Sequence, residues 1–286
     1  MRVGFVTNLL WDRYGPFWVG LLEAAGAEVR LPDPERVRKV WDDPRLDVVA
    51  GTAFRRAVAE ALALAGCDRI VAPALNPGYE GSRGSAQDPF VARFPEALAQ
   101  AVPGLPPVVA VPADLEAPGL APLAIDTLQM VAPGPAAVRR VWQTHRASAR
   151  PPRPPGGMPE APPSTDVVAL VGQPWSLNEG VERALQGPGE LVVSAARFPP
   201  RALREEGTRV EAGLAPTDAE ALGAVRRFAR SGTVTRVRMV VDPASGADAW
   251  LARRAQAWVR RPFETVPPPD LGAHEDAAAS TAFPED

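Results

Sequence analysis

The first 34 residues of the chain form the pattern that most limits its fold. Residues 2–7 are a short apolar run with two β-branched valines, which is typical of a buried strand. Pro16 suits the first turn of a helix, and the apolar stripe after it ends at Gly26, a common helix C-cap. A second strand is predicted over residues 27–31. This order predicts a βαβ unit whose helix covers a parallel sheet.

The same alternation of strands and helices continues through most of the chain. Further strands are predicted at residues 46–49, 68–72, 107–111, 166–172, 190–194 and 234–241. Helices are predicted at residues 34–41, 52–65, 90–102, 135–148, 181–185, 218–231 and 247–259. The expected fold class is therefore α/β, with two tandem flavodoxin-like lobes, parallel sheets and a cleft between them.

A proline-rich stretch divides the two series of elements. Residues 150–163 read RPPRPPGGMPEAPP, and proline cannot donate the backbone hydrogen bonds of a helix or an interior strand. The predicted organisation is an N-terminal lobe over residues 1–150, a linker over 151–164, a C-terminal lobe over 165–262 and a flexible tail over 263–286.

Composition excludes several classes of protein. The net charge of −3 and the isoelectric point of about 5.6 argue against a nucleic-acid surface. The chain has no apolar run long enough for a membrane span and no signal-peptide pattern, so we expect a cytoplasmic protein. Cys67 is the single cysteine, which excludes an intrachain disulfide and a multi-cysteine metal site. We interpret it as a small apolar residue rather than a reactive thiol.

Three segments carry a resemblance to a known family. The segment YGPFW at residues 14–18 is followed by LLEAAGAEVRLP, VALVGQPWSL occupies residues 168–177, and VRMVVDPASGAD occupies residues 237–248. Together they resemble the 2-hydroxyglutaryl-CoA dehydratase D-component family and the related uncharacterised domain attached to some CoA-enzyme activators. The resemblance implies two flavodoxin-like lobes, with an iron–sulfur cluster held between them by cysteines in the active members.

The chain departs from that family at the cysteines. The resemblance places family cysteines near residues 49–53, near Asp88 and near Ser245, and none is present. A [4Fe–4S] cluster is held chiefly by thiolates, so one cysteine is too few. We therefore predict no metal, no cofactor and no dehydratase chemistry in this chain alone.

Polar and aromatic residues that follow the predicted strands are the candidates for ligand binding. Parallel strands bring the loops at their carboxyl ends to one edge of a sheet, where ligands of α/β proteins usually bind. Backbone N–H groups in the glycine-containing loop at residues 76–89 would suit phosphate. The candidate residues are Asn8, Trp11, Asn76, Gly78, Arg83, Gln173, Trp175 and Asp242. An ordinary surface loop, interdomain packing and Asx turns are the alternative explanations.

Three functions from different classes remain open at this point. The first is a cluster-free relative of the dehydratase and activator proteins, which keeps a cleft for a small ligand such as an acyl-CoA without redox catalysis. The second is a non-catalytic subunit or scaffold that partners a cysteine-bearing chain of that family. The third is an enzyme of another class, for which no catalytic residues can be nominated because no Ser/His/Asp set or carboxylate pair stands out.

Overall fold

A computed structural model describes residues 1–117, 119–154, 156–160, 162 and 165–269. The chain divides into two compact units. Unit 1 comprises Met1–Arg153 together with the short segments Gly213–Thr217 and Ala244–Ala247. Unit 2 comprises Pro154–Ala212, Asp218–Pro243 and the chain from Asp248 onwards.

Unit 1 contains a four-stranded parallel sheet in the order β2-β1-β3-β4. Its strands are β1 (Arg2–Phe5), β2 (Glu28–Arg30), β3 (Arg69–Ala74) and β4 (Val108–Pro112). Its helices are α1 (Trp11–Ala24), α2 (Pro34–Lys39), α3 (Thr52–Ala63), α4 (Pro89–Ala92), α5 (Phe94–Ala101), α6 (Leu120–Gln129) and α7 (Pro135–His145). The predicted βαβ opening is present, because α1 joins the parallel strands β1 and β2.

Unit 2 holds a second four-stranded parallel sheet, in the order β6-β5-β7-β8. Its strands are β5 (Asp166–Val171), β6 (Glu190–Ser194), β7 (Arg236–Val240) and β8 (Phe263–Val266). The later helices are α8 (Glu179–Ala184), α9 (Pro200–Thr208), α10 (Pro216–Arg230) and α11 (Gly246–Gln256), and the last two begin in segments that group with unit 1. The expected α/β class with parallel sheets is confirmed.

Helix α1 begins earlier than the sequence indicates. It starts at Trp11 rather than at Pro16, which lies inside the helix. A Cβ atom on Gly15 would come within 2.4 Å of the Trp11 ring, so the absence of a side chain at Gly15 lets the indole lie across the first turn. The Trp11 ring therefore packs against the Gly15 backbone in the turn ahead of the proline.

Strand β8 lies where the sequence predicted the start of a flexible tail. The chain continues past residue 262 into β8, which pairs with β7 in parallel. Glu264 of β8 accepts a hydrogen bond from the Arg238 guanidinium of β7, and the Glu190 carboxylate also binds Arg238. Residues 270–286 of the predicted tail lie outside the described residues.

The predicted strand at residues 46–49 is wrong. A 3₁₀ helix, Pro44–Leu46, occupies the start of this stretch, and the Asp43 carboxylate caps it by accepting a hydrogen bond from the Arg45 N–H at 3.0 Å. Arg45 also binds the Asp43 carboxylate through its side chain, and this bond holds the pKa of Asp43 down at about 2.

Within the described residues, no helix has the length and apolar character that crossing a membrane requires.

Candidate functional site

The loop between β1 and α1, residues 6–10, occupies the carboxyl edge of the first sheet. The strand order places β1 between β2 and β3, so the connections from β1 and β3 leave in opposite directions along the sheet. Such a switch point is where α/β sheets usually bind ligands. We call this region the β1 edge.

A buried glutamate on α3 holds the β1–α1 loop. Glu60 is 5% exposed, and its Oε2 accepts hydrogen bonds from the backbone N–H of Thr7 at 2.7 Å and of Asn8 at 3.0 Å. Its Oε1 accepts a hydrogen bond from the Thr7 hydroxyl at 3.0 Å. One carboxyl group therefore satisfies both consecutive N–H groups that follow the strand, in a place where water has little access.

Burial makes this carboxyl group easy to protonate. It raises the pKa of Glu60 from 4.5 to about 7, although the hydrogen bonds from Thr7 and Asn8 and the positive charge of Arg56 act in the opposite direction. Burial and the nearby Glu60 charge also raise the pKa of Tyr14, whose hydroxyl donates to the Val6 carbonyl. Titratable groups perturbed by burial in this way are enriched at functional sites.

The same loop contains an unusual backbone conformation. Leu10 has a φ of 58°, and it is the one non-glycine residue with a positive φ in the described part of the chain. A left-handed conformation costs an L-residue about 1–2 kcal/mol, and such conformations cluster at functional sites. The strained Leu10 therefore lies in the same five-residue loop whose Thr7 and Asn8 are bound by the buried carboxyl group of α3.

The loop after β3 is fixed to unit 1 by Asn76. This side chain is 4% exposed; its Nδ2 donates to the Val91 carbonyl at 3.1 Å and its Oδ1 accepts from the Thr217 N–H at 3.0 Å. The Tyr79 hydroxyl donates to the Gly213 carbonyl at 3.0 Å. Gly78 and Arg83 are exposed, and Gly78 adopts a φ of 74° that favours glycine.

Replacement of Asn76 by alanine provides a test of this anchor. We expect Asn76→Ala to lower the free energy of unfolding by about 2 kcal/mol, because it leaves the buried Thr217 N–H without its acceptor. Urea denaturation measures the change, with the exposed Gln87→Ala as control. A loss no larger for Asn76→Ala than for the control would contradict the anchoring role.

The carboxyl edge of the second sheet is built from buried polar side chains. Gln173 is fully buried and its Nε2 donates to Asp218 Oδ1 at 2.9 Å. The N–H of Asp242 donates to Asp248 Oδ2 at 2.9 Å, and Asp242 is 7% exposed. A Cβ atom on Gly172 would lie 3.1 Å from the Val240 carbonyl oxygen, so β5 and β7 approach closely here. These contacts close the edge of the sheet with hydrogen bonds inside unit 2.

The structure divides the predicted ligand residues into two groups. Asn8 and Trp11 are partly exposed at the β1 edge, and Gly78 and Arg83 are exposed in the loop after β3. Asn76, Gln173, Trp175 and Asp242 are instead buried. The Asn8 amide donates to the Ala53 carbonyl, and the Trp11 ring contacts Phe5 and Tyr14 edge to face. Their roles in ligand binding stay predictions.

Sequence reasoning missed Glu60, although its position carried a signal. On α3 it follows Ala57 by three residues, so helical spacing places it on the same side as this buried residue. A carboxylate on an apolar face needs hydrogen-bond donors nearby, and the N–H groups after β1 supply them.

Other reactive groups give little chemistry. Burial raises the pKa of the Cys67 thiol, which favours the unreactive thiol over the thiolate. Within the described residues, no cluster of three or more His, Cys, Asp and Glu side chains could hold a metal ion. At the β1 edge, Glu60 offers hydrogen bonding and proton exchange.

Comparison with known proteins finds no matching protein family, no similar curated protein and no similar solved structure. The resemblance to the dehydratase D-component family stays a hypothesis.

Proposed function

We propose that this chain binds a small polar ligand at the β1 edge of unit 1 and does so without redox catalysis. The observation that carries the proposal is the coincidence, at one sheet switch point, of a strained Leu10 in the β1–α1 loop and a buried Glu60 on α3 that binds this loop and has a pKa of about 7. The left-handed Leu10 costs stability, and such backbone strain clusters at functional sites. Cys67 alone is too little to hold a thiolate-bound cluster.

The family resemblance suggests an acyl-CoA as the ligand, and the contacts of Glu60 limit how it would bind. The Glu60 carboxylate already occupies the N–H groups of Thr7 and Asn8, so a phosphate group is excluded from that position. The exposed loop after β3 offers the Arg83 guanidinium and the positive-φ residues Gly78 and Gly84. Phosphates would bind there, while the acyl end lies toward Asn8 and Trp11.

We also propose that the two units are flavodoxin-like. The cleft that the sequence predicts between them stays a prediction. A four-stranded parallel sheet with the order β2-β1-β3-β4 supports the flavodoxin-like comparison, because that fold has its ligand at the same switch point.

Isothermal titration with a CoA ester tests this arrangement. We expect Arg83→Ala to weaken binding about tenfold, the loss typical of one charge-assisted contact to phosphate. Arg69→Ala is the matched control, because Arg69 lies at the opposite end of β3 and donates to the Asp68 carbonyl. Equal affinities of the two variants would contradict phosphate binding by the loop after β3.

A second candidate, a non-catalytic scaffold for a dehydratase or activator chain, is favoured by a different observation. Four of the predicted ligand residues are buried, with internal hydrogen bonds for Asn76, Gln173 and Asp242. Mixing with a purified cysteine-bearing family member and measuring complex formation by ultracentrifugation distinguishes the two. A stable complex without any CoA-ester affinity would support the scaffold.

A further inference from the structure

The hydrogen bond between Glu60 and Thr7 can reverse its direction without moving the backbone when the carboxyl group takes up a proton from solvent. When the carboxyl group is charged, Oε2 accepts the two N–H groups and Oε1 accepts the Thr7 hydroxyl. When it is protonated on Oε1, the new O–H donates to Thr7 Oγ1, because a threonine hydroxyl both donates and accepts and rotates freely. Oε2 keeps both of its N–H bonds in either state.

We propose that Glu60 and Thr7 form a proton-operated latch that keeps the β1–α1 loop closed while the carboxyl group is protonated and releases it on deprotonation. The inference goes beyond ligand binding, since the latch needs no ligand. Its place at the β1 edge means that release would loosen residues 6–10 where the sheet faces its ligand position.

The surroundings of the latch favour the neutral form. Burial is the largest influence on Glu60 and disfavours its charge. The titratable and charged groups that act on it electrostatically are Tyr14 from α1 and Arg56 from α3, and burial holds Tyr14 in its neutral form. Arg56 supplies a positive charge that opposes the effect of burial.

The direction of the pH dependence follows from proton binding in the two states. An open loop exposes Glu60 to water and returns its pKa to 4.5, whereas the closed loop holds the pKa at about 7. Between these values the closed state binds more protons, so opening becomes more favourable as the pH rises. The opening equilibrium constant rises about tenfold per pH unit across this window and about 300-fold in total, then stays level.

Amide hydrogen exchange of Thr7 and Asn8 measures this opening directly. After correction for intrinsic exchange rates, the protection of both amides in the wild type should fall with pH across the window by up to about 300-fold. Glu60→Gln mimics the protonated form, since its Oε1 accepts both N–H groups and its Nε2 donates to Thr7 Oγ1. Its protection should stay constant with pH and exceed that of the wild type above neutrality.

Two further measurements make the result decisive. Glu220→Gln removes another buried glutamate, on α10, and should leave the pH dependence unchanged. Infrared spectroscopy of the wild type should show a protonated carboxyl band that titrates near neutral pH, and Thr7→Val should move its midpoint while Thr7→Ser keeps it. The latch is overturned if Glu60→Gln retains the wild-type pH dependence, or if the wild type has no carboxyl group that titrates near neutrality.

Discussion

Gly223→Ala should destabilise unit 2 more than any other single-methyl addition proposed here, by about 3 kcal/mol or more. A Cβ atom on Gly223 of α10 would lie 1.8 Å from the Leu203 carbonyl oxygen of α9. The same close approach recurs at Gly207 of α9, where a Cβ atom would lie 1.8 Å from the Ala219 carbonyl oxygen. Both obstacles are backbone atoms, so the collision can be relieved only by separating the two helices.

Denaturant unfolding followed by circular dichroism measures the effect. Gly20→Ala is the matched control, because Gly20 also lies inside a helix but a Cβ atom there meets nothing within 4 Å. The control should gain about 0.5–1 kcal/mol, the usual benefit of replacing a helical glycine by alanine. A loss below about 1 kcal/mol for Gly223→Ala would show that α9 and α10 are not packed backbone to backbone.

Glu60→Ala should be the most damaging of the changes proposed here for unit 1. It removes the acceptor of the Thr7 and Asn8 N–H groups and leaves both unsatisfied, at about 1–3 kcal/mol each. The loss should depend on pH. Since burial raises the pKa of Glu60 to about 7, the wild type itself loses about 2–3 kcal/mol between about pH 5 and pH 8, and the variant does not.

Chemical denaturation at the acidic and at the alkaline pH separates the loss of the hydrogen-bond acceptor from the effect of Glu60 protonation. The difference between the wild type and Glu60→Ala should be largest at the acidic pH and shrink at the alkaline one. Glu60→Gln serves as the control that keeps the side-chain volume and removes the titration. A stability difference that stays constant with pH would mean that Glu60 is ionised throughout this range.

Much of the architecture follows from local patterns in the sequence. The prediction of β6 matches its observed bounds, and β1, β3, β5 and β7 lie within two residues of their predicted ends, because each is a short apolar run bounded by turn residues. Strand β8 was missed because FETV is only four residues long and contains no apolar run, and its ion pair with Arg238 is a non-local contact. Helix α9 was missed because its sequence, PRALREEGT, is strongly polar and its position depends on the contact at Gly207.

Only part of the candidate site could be predicted from the sequence. Topology correctly placed Asn8 and Asn76 after β1 and β3, since a strand ends wherever its apolar run ends. It could not show that the Asn76 side chain already hydrogen-bonds to Val91 and Thr217, because the partner residue Thr217 is 141 positions away. Glu60 also accepts hydrogen bonds from donors more than 50 positions away, and such non-local contacts produce no periodic pattern in the sequence.

The central claim, that the β1 edge of unit 1 binds a small polar ligand, is tested most directly by nuclear magnetic resonance. The backbone amide signals are assigned and a CoA ester is added up to roughly millimolar concentration, a weak-binding limit. The account predicts saturable shifts for Thr7, Asn8 and Trp11, and for the exposed loop at residues 78–84, with the amino-end residues of β3 unaffected. Unchanged signals at both loops, or shifts confined to other parts of the chain, would contradict it.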